Sequence, residues 1–398
     1  MSALIHALTD HILAGYAERM RKSFGEIYLG MDEPEHAPKS KLPNQAIMNI
    51  SRREAFDLSF AVTERVLAAL LDGRADPTVE VKDIVDGVLA GLCTTWFGIP
   101  DEDKHVIAGG WHWMPDEPPT CPGHFSAPSR YMFQPNPGAE AEKTGKAHGE
   151  ALAKAVGKFV AKHRPPHTPG SAPPSHTVPT ASLAKDIFNA IPYREKEDPG
   201  NLELTSTLIG AMMGFLPTVD GNLRGALYEW INDRSLWDHQ IAYLAAQGRK
   251  RKRPLDEAAS AYPLKVPLRR TLQLRPVPEL AWRTARESAK LGKVDLSPGD
   301  IIVASIVSAT QQALTEDDPD LDLLFGGKRT AADQKNHACP GRQMAMGVIL
   351  GFLAALMQTV RMRPTLSPMA LQISPRNVGA APAPAPAPAT SAIPSPAH

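Results

Sequence analysis

The chain has little cysteine, few aromatic residues and no excess of either charge, and each shortage removes a class of explanation. Three cysteines in 398 residues, Cys93, Cys121 and Cys339, are too few for a disulfide framework and stand in no zinc-type spacing. Lysine plus arginine equals aspartate plus glutamate at 43 each, so net charge argues for neither a nucleic-acid partner nor a membrane surface. The opening "MSALIHALTDHILAGYAERMRKSFG" mixes apolar and charged residues like an amphipathic helix and lacks the apolar core of a signal peptide. The longest apolar run, Met344 to Met357, falls short of the ~20 residues that cross a bilayer. The expectation is a cytoplasmic protein of a reducing compartment, with no membrane span and no nucleic acid among its partners.

Proline is what the chain has in quantity, 38 residues, and it marks the organisation. Residues 377–398 are rich in proline and alanine, bury too little to fold, and are expected to be a disordered tail. Residues 163–181, which open "HRPPHTPGSAPPSHTV", read as a surface loop between helices; its three histidines lack the fixed geometry of a metal site. The rest of residues 1–376 is expected to form one domain. Apolar residues recur at three- and four-residue steps in "VEVKDIVDGVLAGLCTTWFGIPD", which stops at Gly98 and Pro100. The stretches Ala139 to Arg164 and Asn201 to Ile231 are longer helices, the second apolar at its centre. Only the region of "SPGDIIVASIV" has the β-branched run and turn chemistry of strands. The fold class is mainly α with small β-sheets.

The stretch "NHACPGRQMAM" sets Cys339 before a proline, a glycine and an apolar stripe, Met344, Val348, Phe352 and Leu356, at four-residue spacing. Pro340 suits the first helical position, where its missing N–H is not needed. That puts Cys339 at a helix N-terminus, where the dipole and exposed N–H groups favour a thiolate able to hold a metal. A buried cysteine at a helix end is the competing explanation. "TCPGHF", with Cys121, has the same tripeptide without a long helix after it, so Cys-Pro-Gly alone decides nothing.

With "LSPGDIIVAS" and "RPVPELAWR" preceding it, "HACPGR" resembles the C-terminal part of the cytochrome P450 family, the cysteine-ligated haem monooxygenases. "MDEPEH" resembles the family's bacterial Asp-Pro-Pro-Glu-His motif, and "LCTTWFGIPD" and "GFLPTV" fall in the expected order. The resemblance covers roughly residues 30 to 365. It implies a multi-helical P450-like fold, haem b (iron protoporphyrin IX) as cofactor, and Cys339 as the axial ligand. His36, Arg283 and His337 would pair with the propionates, and Gly341 is the loop glycine two residues after the cysteine. Thiolate ligation favours O–O cleavage.

Departures from the family pattern are informative. The usual Glu-x-x-Arg pair is replaced by Arg270 and Gln273. The phenylalanine and glycine expected ahead of the cysteine are Ala332 and Lys335, with "FGG" at Phe325 as a displaced counterpart. The arginine four residues after the motif histidine is Ser40. "DEPEH" also comes early, as if the first helix and strands were absent or supplied by another chain. In the central helix, the acid–threonine pair that relays protons falls on Leu216 and Pro217. Thr218 stands one place late, about 100° further around the helix. Pro217 should also kink that helix.

The implied function is a haem-dependent oxidoreductase of monooxygenase type acting on a hydrophobic organic molecule. The substitution at Leu216-Pro217 makes it one that uses peroxide or a lipid-like hydroperoxide, including by isomerisation. "FLPTV" resembles the "Arg-Pro-Thr-Val" helix of the fatty-acid peroxygenases, but Leu216 replaces the arginine that anchors a carboxylate there. Pro217, Thr218 and Asn222 are the candidate catalytic residues, with Asp220 and Asn222 as polar groups that otherwise lie beyond the kink. Partners would be the substrate and either a redox protein or an upstream oxygenase or peroxidase. The alternative is a degenerate, non-catalytic haem-binding or partner domain of a larger assembly. "PGHFSAPSRYMFQPNPG", with Phe125, Arg130, Tyr131 and Phe133 and no helical period, is expected to be a loop, either lid or core packing. "WHWM" at Trp111 reads as packing.

Overall fold

The computed structural model describes residues 13–14, 16–32, 34–98, 106–107, 110–111, 121–166, 175–194, 196–198, 200–248, 262–315, 321–327 and 338–376. The tail beyond 376, most of the "RPPHTPGSAPP" segment, His337, Ala332 and Lys335 lie outside them. Twelve α-helices stand among the described residues. The first six are α1 (Ala17–Phe24), α2 (His36–Met48), α3 (Arg52–Leu71), α4 (Val81–Phe97), α5 (Cys121–Phe133) and α6 (Ala139–His163). There follow α7 (Ser182–Ala190), α8 (Leu202–Asn232), α9 (Ser235–Gly248), α10 (Tyr262–Leu274), α11 (Ile306–Thr315) and α12 (Arg342–Thr359).

The described strands form four small sheets: two hairpins, β3 (Val106–Ile107) with β4 (Gly110–Trp111) and β6 (Ala289–Leu291) with β7 (Val294–Leu296), and two three-stranded sheets that join distant parts of the chain. β1 (Leu13–Ala14), β5 (Leu280–Ala285) and β8 (Ile301–Ser305) lie in the order β1-β5-β8, all antiparallel, with Trp282 opposite Val303 and Arg283 opposite Ile302. The "RPVPELAWR" and "DIIVAS" segments are therefore neighbouring strands. β2 (Thr78–Glu80) pairs with β10 (Ala370–Pro375), which pairs with β9 (Val360–Pro364) directly after α12. These last three strands carry a weaker sequence signal than "DIIVAS", because none has its unbroken β-branched run.

One apolar core runs from Tyr16 to Ile373, and α8 and α12 pass through it. The stripe Met344, Val348, Phe352 and Leu356 is buried throughout, as its spacing requires. α12 lies on α3 at backbone distance. A Cβ added to Gly347 or Gly351 would overlap the carbonyl oxygens of Arg52 and Phe56, and Ser59 Oγ donates to the Val348 carbonyl at 2.8 Å. By length and composition alone α8 could cross a membrane, yet 67% of its apolar window is buried inside the protein, where it serves as the core helix.

One helix stands as expected and one expectation needs correcting. α8 runs through Pro217 to Asn232, as the reading of Asn201 to Ile231 as one helix requires, and it carries Asp220 and Asn222 within it. Tertiary burial of its apolar faces outweighs the one hydrogen bond that proline removes. "PGHFSAPSRYMF" is the helix α5 in spite of Pro128, because Phe125, Tyr131 and Met132 are buried against the core.

Candidate active site

A cavity of about 710 Å³ lies between α8, α2, β5 and the N-terminal end of α12. His36, Pro217, Thr218, Asn222, Arg283, Cys339 and Gly341, all chosen from the sequence, line it together. The apolar remainder of the wall includes Ile47, Phe97, Leu280, Ile306, Met344 and Ile349.

Cys339 is held by what surrounds it. Its N–H donates to the Phe325 carbonyl at 2.8 Å, which ties the "FGG" turn to the cysteine loop. Arg342, the first residue of α12, forms an ion pair with Asp322, and its guanidinium lies 5.5 Å from the Phe325 ring centroid. Asp322 in turn accepts the Gly327 N–H on its carbonyl at 2.7 Å. The helix starts two residues later than expected, at Arg342 instead of Pro340. Gly341 is the N-cap and its carbonyl accepts from Ala345 N at 2.8 Å, so Pro340 sits in the preceding turn. Gly341 has no side chain with which to cap, which leaves the first N–H groups of α12 next to Cys339. Cys93 is buried and disulfide-bonded, whereas Cys339 is a thiol.

The Arg270 and Gln273 positions are in place on α10, exposed and buried respectively, with no acid between them. The carbonyl of Gln273 accepts from Thr310 Oγ1 at 2.8 Å, which fastens α10 to α11. The Asp322–Arg342 pair was not foreseen in the sequence, because the two residues are linked only by the fold.

On α2, His36, Ser40 and Asn44 occupy one face at four-residue steps and are all buried; His36 and Asn44 line the cavity. Asn44 is a donor that the sequence reading missed, and its spacing from His36 was the available signal. Arg283 donates from Nη1 to its neighbour's carbonyl, Trp282 O, at 2.8 Å and lies 5.0 Å from the Tyr16 ring centroid.

The α8 wall differs from the family pattern as the sequence suggested. Leu216 is buried and does not line the cavity, whereas Gly214, Pro217 and Thr218 do. Thr218 Oγ1 donates back into its own helix, to the carbonyls of Gly214 at 2.7 Å and Phe215 at 3.1 Å. Asp220 also lines the cavity and starts a chain of charges. Arg224 Nε reaches Asp220 at 2.6 Å and Arg224 Nη2 reaches Asp86 at 2.6 Å, while Lys82 meets the other Asp86 oxygen at 2.6 Å. Burial pushes the Asp220 carboxyl above its ordinary range, and Arg224 opposes the shift without cancelling it. α5 contributes Ser129, Arg130 and Phe133 to the cavity while Phe125 and Tyr131 pack inward, so this segment is part wall and part core. The Trp111 side chain lies outside the described residues.

No family model matches the chain, and no curated protein matches it. Solved structures do. The ligand-free P450 monooxygenase TamI is 18% identical over 94% of this chain and 82% of its own, with a TM-score of 0.55. The cytochrome P450DA heme domain is 15% identical over 95% and 86%, at 0.60. P450BioI, solved in complex with an acyl carrier protein carrying hexadec-9Z-enoic acid, is 12% identical over 94% and 90%, also at 0.60. The chain has the cytochrome P450 fold. Likeness at such identities speaks for architecture, and what this P450 fold does must be argued from its cavity.

The cavity suits a haem. Among the described residues no group of three His, Cys, Asp or Glu could hold a bare metal ion. A single thiolate at Cys339 is a sufficient protein ligand only if a macrocycle supplies the rest of the coordination. The largely apolar lining would bury such a ring, and His36, Asn44 and Arg283 offer donors for its carboxylates.

Proposed function

We propose that the chain is a haem-thiolate oxidoreductase acting on a hydrophobic organic substrate, with peroxide or an organic hydroperoxide as the oxygen source. The observation that carries this reading is one cavity shared by Cys339 and an α8 wall without the acid–alcohol pair. Iron protoporphyrin IX held through a thiolate would supply O–O cleavage and oxygen transfer. Cys339 would hold the iron, placed by its N–H bond to Phe325 and by the Asp322–Arg342 ion pair. His36, Asn44 and Arg283, with His337 as a further basic group, would neutralise the propionates. Ile47, Ile306 and Ile349 exclude water and favour an apolar substrate.

The source of protons separates the possible chemistries. Thr218 spends its hydroxyl hydrogen on backbone carbonyls, so it is poorly placed to pass one onward. The group in this wall with a raised affinity for a proton is Asp220, one helical turn beyond Leu216 and tied to Arg224. An oxygen donor that brings its own O–O bond needs fewer protons and no electrons, which suits such a wall. The test is turnover of an apolar substrate with hydrogen peroxide or a fatty-acid hydroperoxide, against dioxygen with NAD(P)H, a ferredoxin and its reductase. Faster peroxide-driven turnover is expected; efficient dioxygen-driven turnover with catalase present would contradict it.

A further inference from the structure

Resting on the reading of the cavity as a substrate site, we propose that its ligand carries a neutral hydrogen-bond donor, a hydroxyl, on an otherwise apolar frame, and that Asn222 Oδ1 receives it. Asn222 is more than nine-tenths buried, lines the cavity, and its Oδ1 has no hydrogen-bond partner among the described residues. The orientation of its amide is fixed by chemistry. Nδ2 faces two carbonyls, Thr218 O at 2.7 Å and, more distantly, Val277 O at 3.5 Å. A flipped amide would set oxygen against oxygen, so Oδ1 must be the atom left over. A buried acceptor in that state carries a desolvation penalty that a donor from the ligand relieves.

The neighbouring groups on α8 leave acceptors and no donor. Pro217 has no N–H, and Thr218 Oγ1 keeps only lone pairs once its hydrogen goes to Gly214 and Phe215. Asp220 accepts from Arg224. A carboxylate placed here would face other oxygens, and a plain hydrocarbon would leave Asn222 Oδ1 unsatisfied. A hydroxyl matches the surface. This distinguishes the site from one that takes a fatty acid by its head group. The cavity's exposed cation, Arg130, belongs to α5 and not to this wall.

The experiment is calorimetric titration of the purified chain with three matched probes: decanol, its isomer nonyl methyl ether, and decanoate. Decanol is expected to bind about tenfold tighter than either, the worth of one satisfied buried hydrogen bond. In Asn222→Leu, of similar volume but without the acceptor, the preference should fall to within about twofold. A general folding defect would weaken all three probes alike and leave the ratio standing. Decanoate or the ether binding as tightly as decanol would overturn the proposal, as would absence of decanol binding or a preference that survives Asn222→Leu. The haem content of the same samples is read separately from the reduced carbon-monoxide spectrum. A haem-free chain that still prefers decanol would defeat the oxidoreductase reading and leave this inference intact.

Discussion

On the cysteine side of the cavity, backbone lies on backbone: Gly347 and Gly351 let α12 rest against the carbonyls of Arg52 and Phe56. On the α8 side there is slack. A Cβ at Gly214 would meet only Leu29, at 3.7 Å, and Thr218, Asp220 and Asn222 present polar groups to the space. The first region fixes one sulfur in place, a demand that leaves no room for adjustment. The second has room for its chemistry to change while the fold stands. The departures from the family pattern follow that division on α8, where Leu216-Pro217 replaces the acid–alcohol pair without interrupting the helix.

Substitutions can break this comparison, and the largest effect belongs to the tight side. Gly351→Ala is expected to cost about 3 kcal/mol or to prevent folding, since the neighbour in the way is backbone. Gly214→Ala, by contrast, should be neutral or stabilise by up to ~1 kcal/mol through helix propensity. Urea unfolding of both variants decides the matter, and equal costs would erase the distinction. Next comes Arg342→Leu, which leaves the buried Asp322 carboxylate without its cation and should cost about 2–3 kcal/mol. It should also shift or broaden the Soret band; an unchanged spectrum would mean that the pair does not position Cys339.

Thr218→Val sharpens the other side. With its hydroxyl already given to the helix backbone, the substitution should change stability by less than ~1 kcal/mol. Peroxide-driven turnover should change by no more than about threefold, whereas a proton-relaying alcohol would cost far more. The smallest effect lies in neither wall. Burial against Trp230, at a ring separation of 4.6 Å, holds the His239 imidazole below its ordinary value. The unfolded chain therefore takes up the proton first, and stability falls as pH drops through about 6.5. His239→Phe should remove part of that fall without altering the spectrum of the site.

How much of this was legible in the sequence depended on range. Local signals carried far: the stripe of α12, the strand at "DIIVAS", and seven residues that do line one cavity. What failed was the reading of the Pro128 segment as a loop. Pro128 sits inside a helix, as Pro217 was expected to, because the burial of whole helical faces outweighs one missing N–H. Groups whose partners lie far along the chain were invisible, as with Asp322–Arg342 and the Asp220–Arg224–Asp86 chain. The spacing Gly347-x-x-x-Gly351 was visible and signals close helix approach, although it could not say that α3 was the partner.

The central claim is that Cys339 holds a haem iron through its sulfur. The reduced, carbon-monoxide difference spectrum of the purified chain, beside Cys339→Ser, tests it most directly. A Soret band in the thiolate-ligated position, lost on substitution, is the predicted result. No haem, or a histidine-type spectrum that the substitution leaves unchanged, would contradict it and leave the P450 fold as a scaffold for something else.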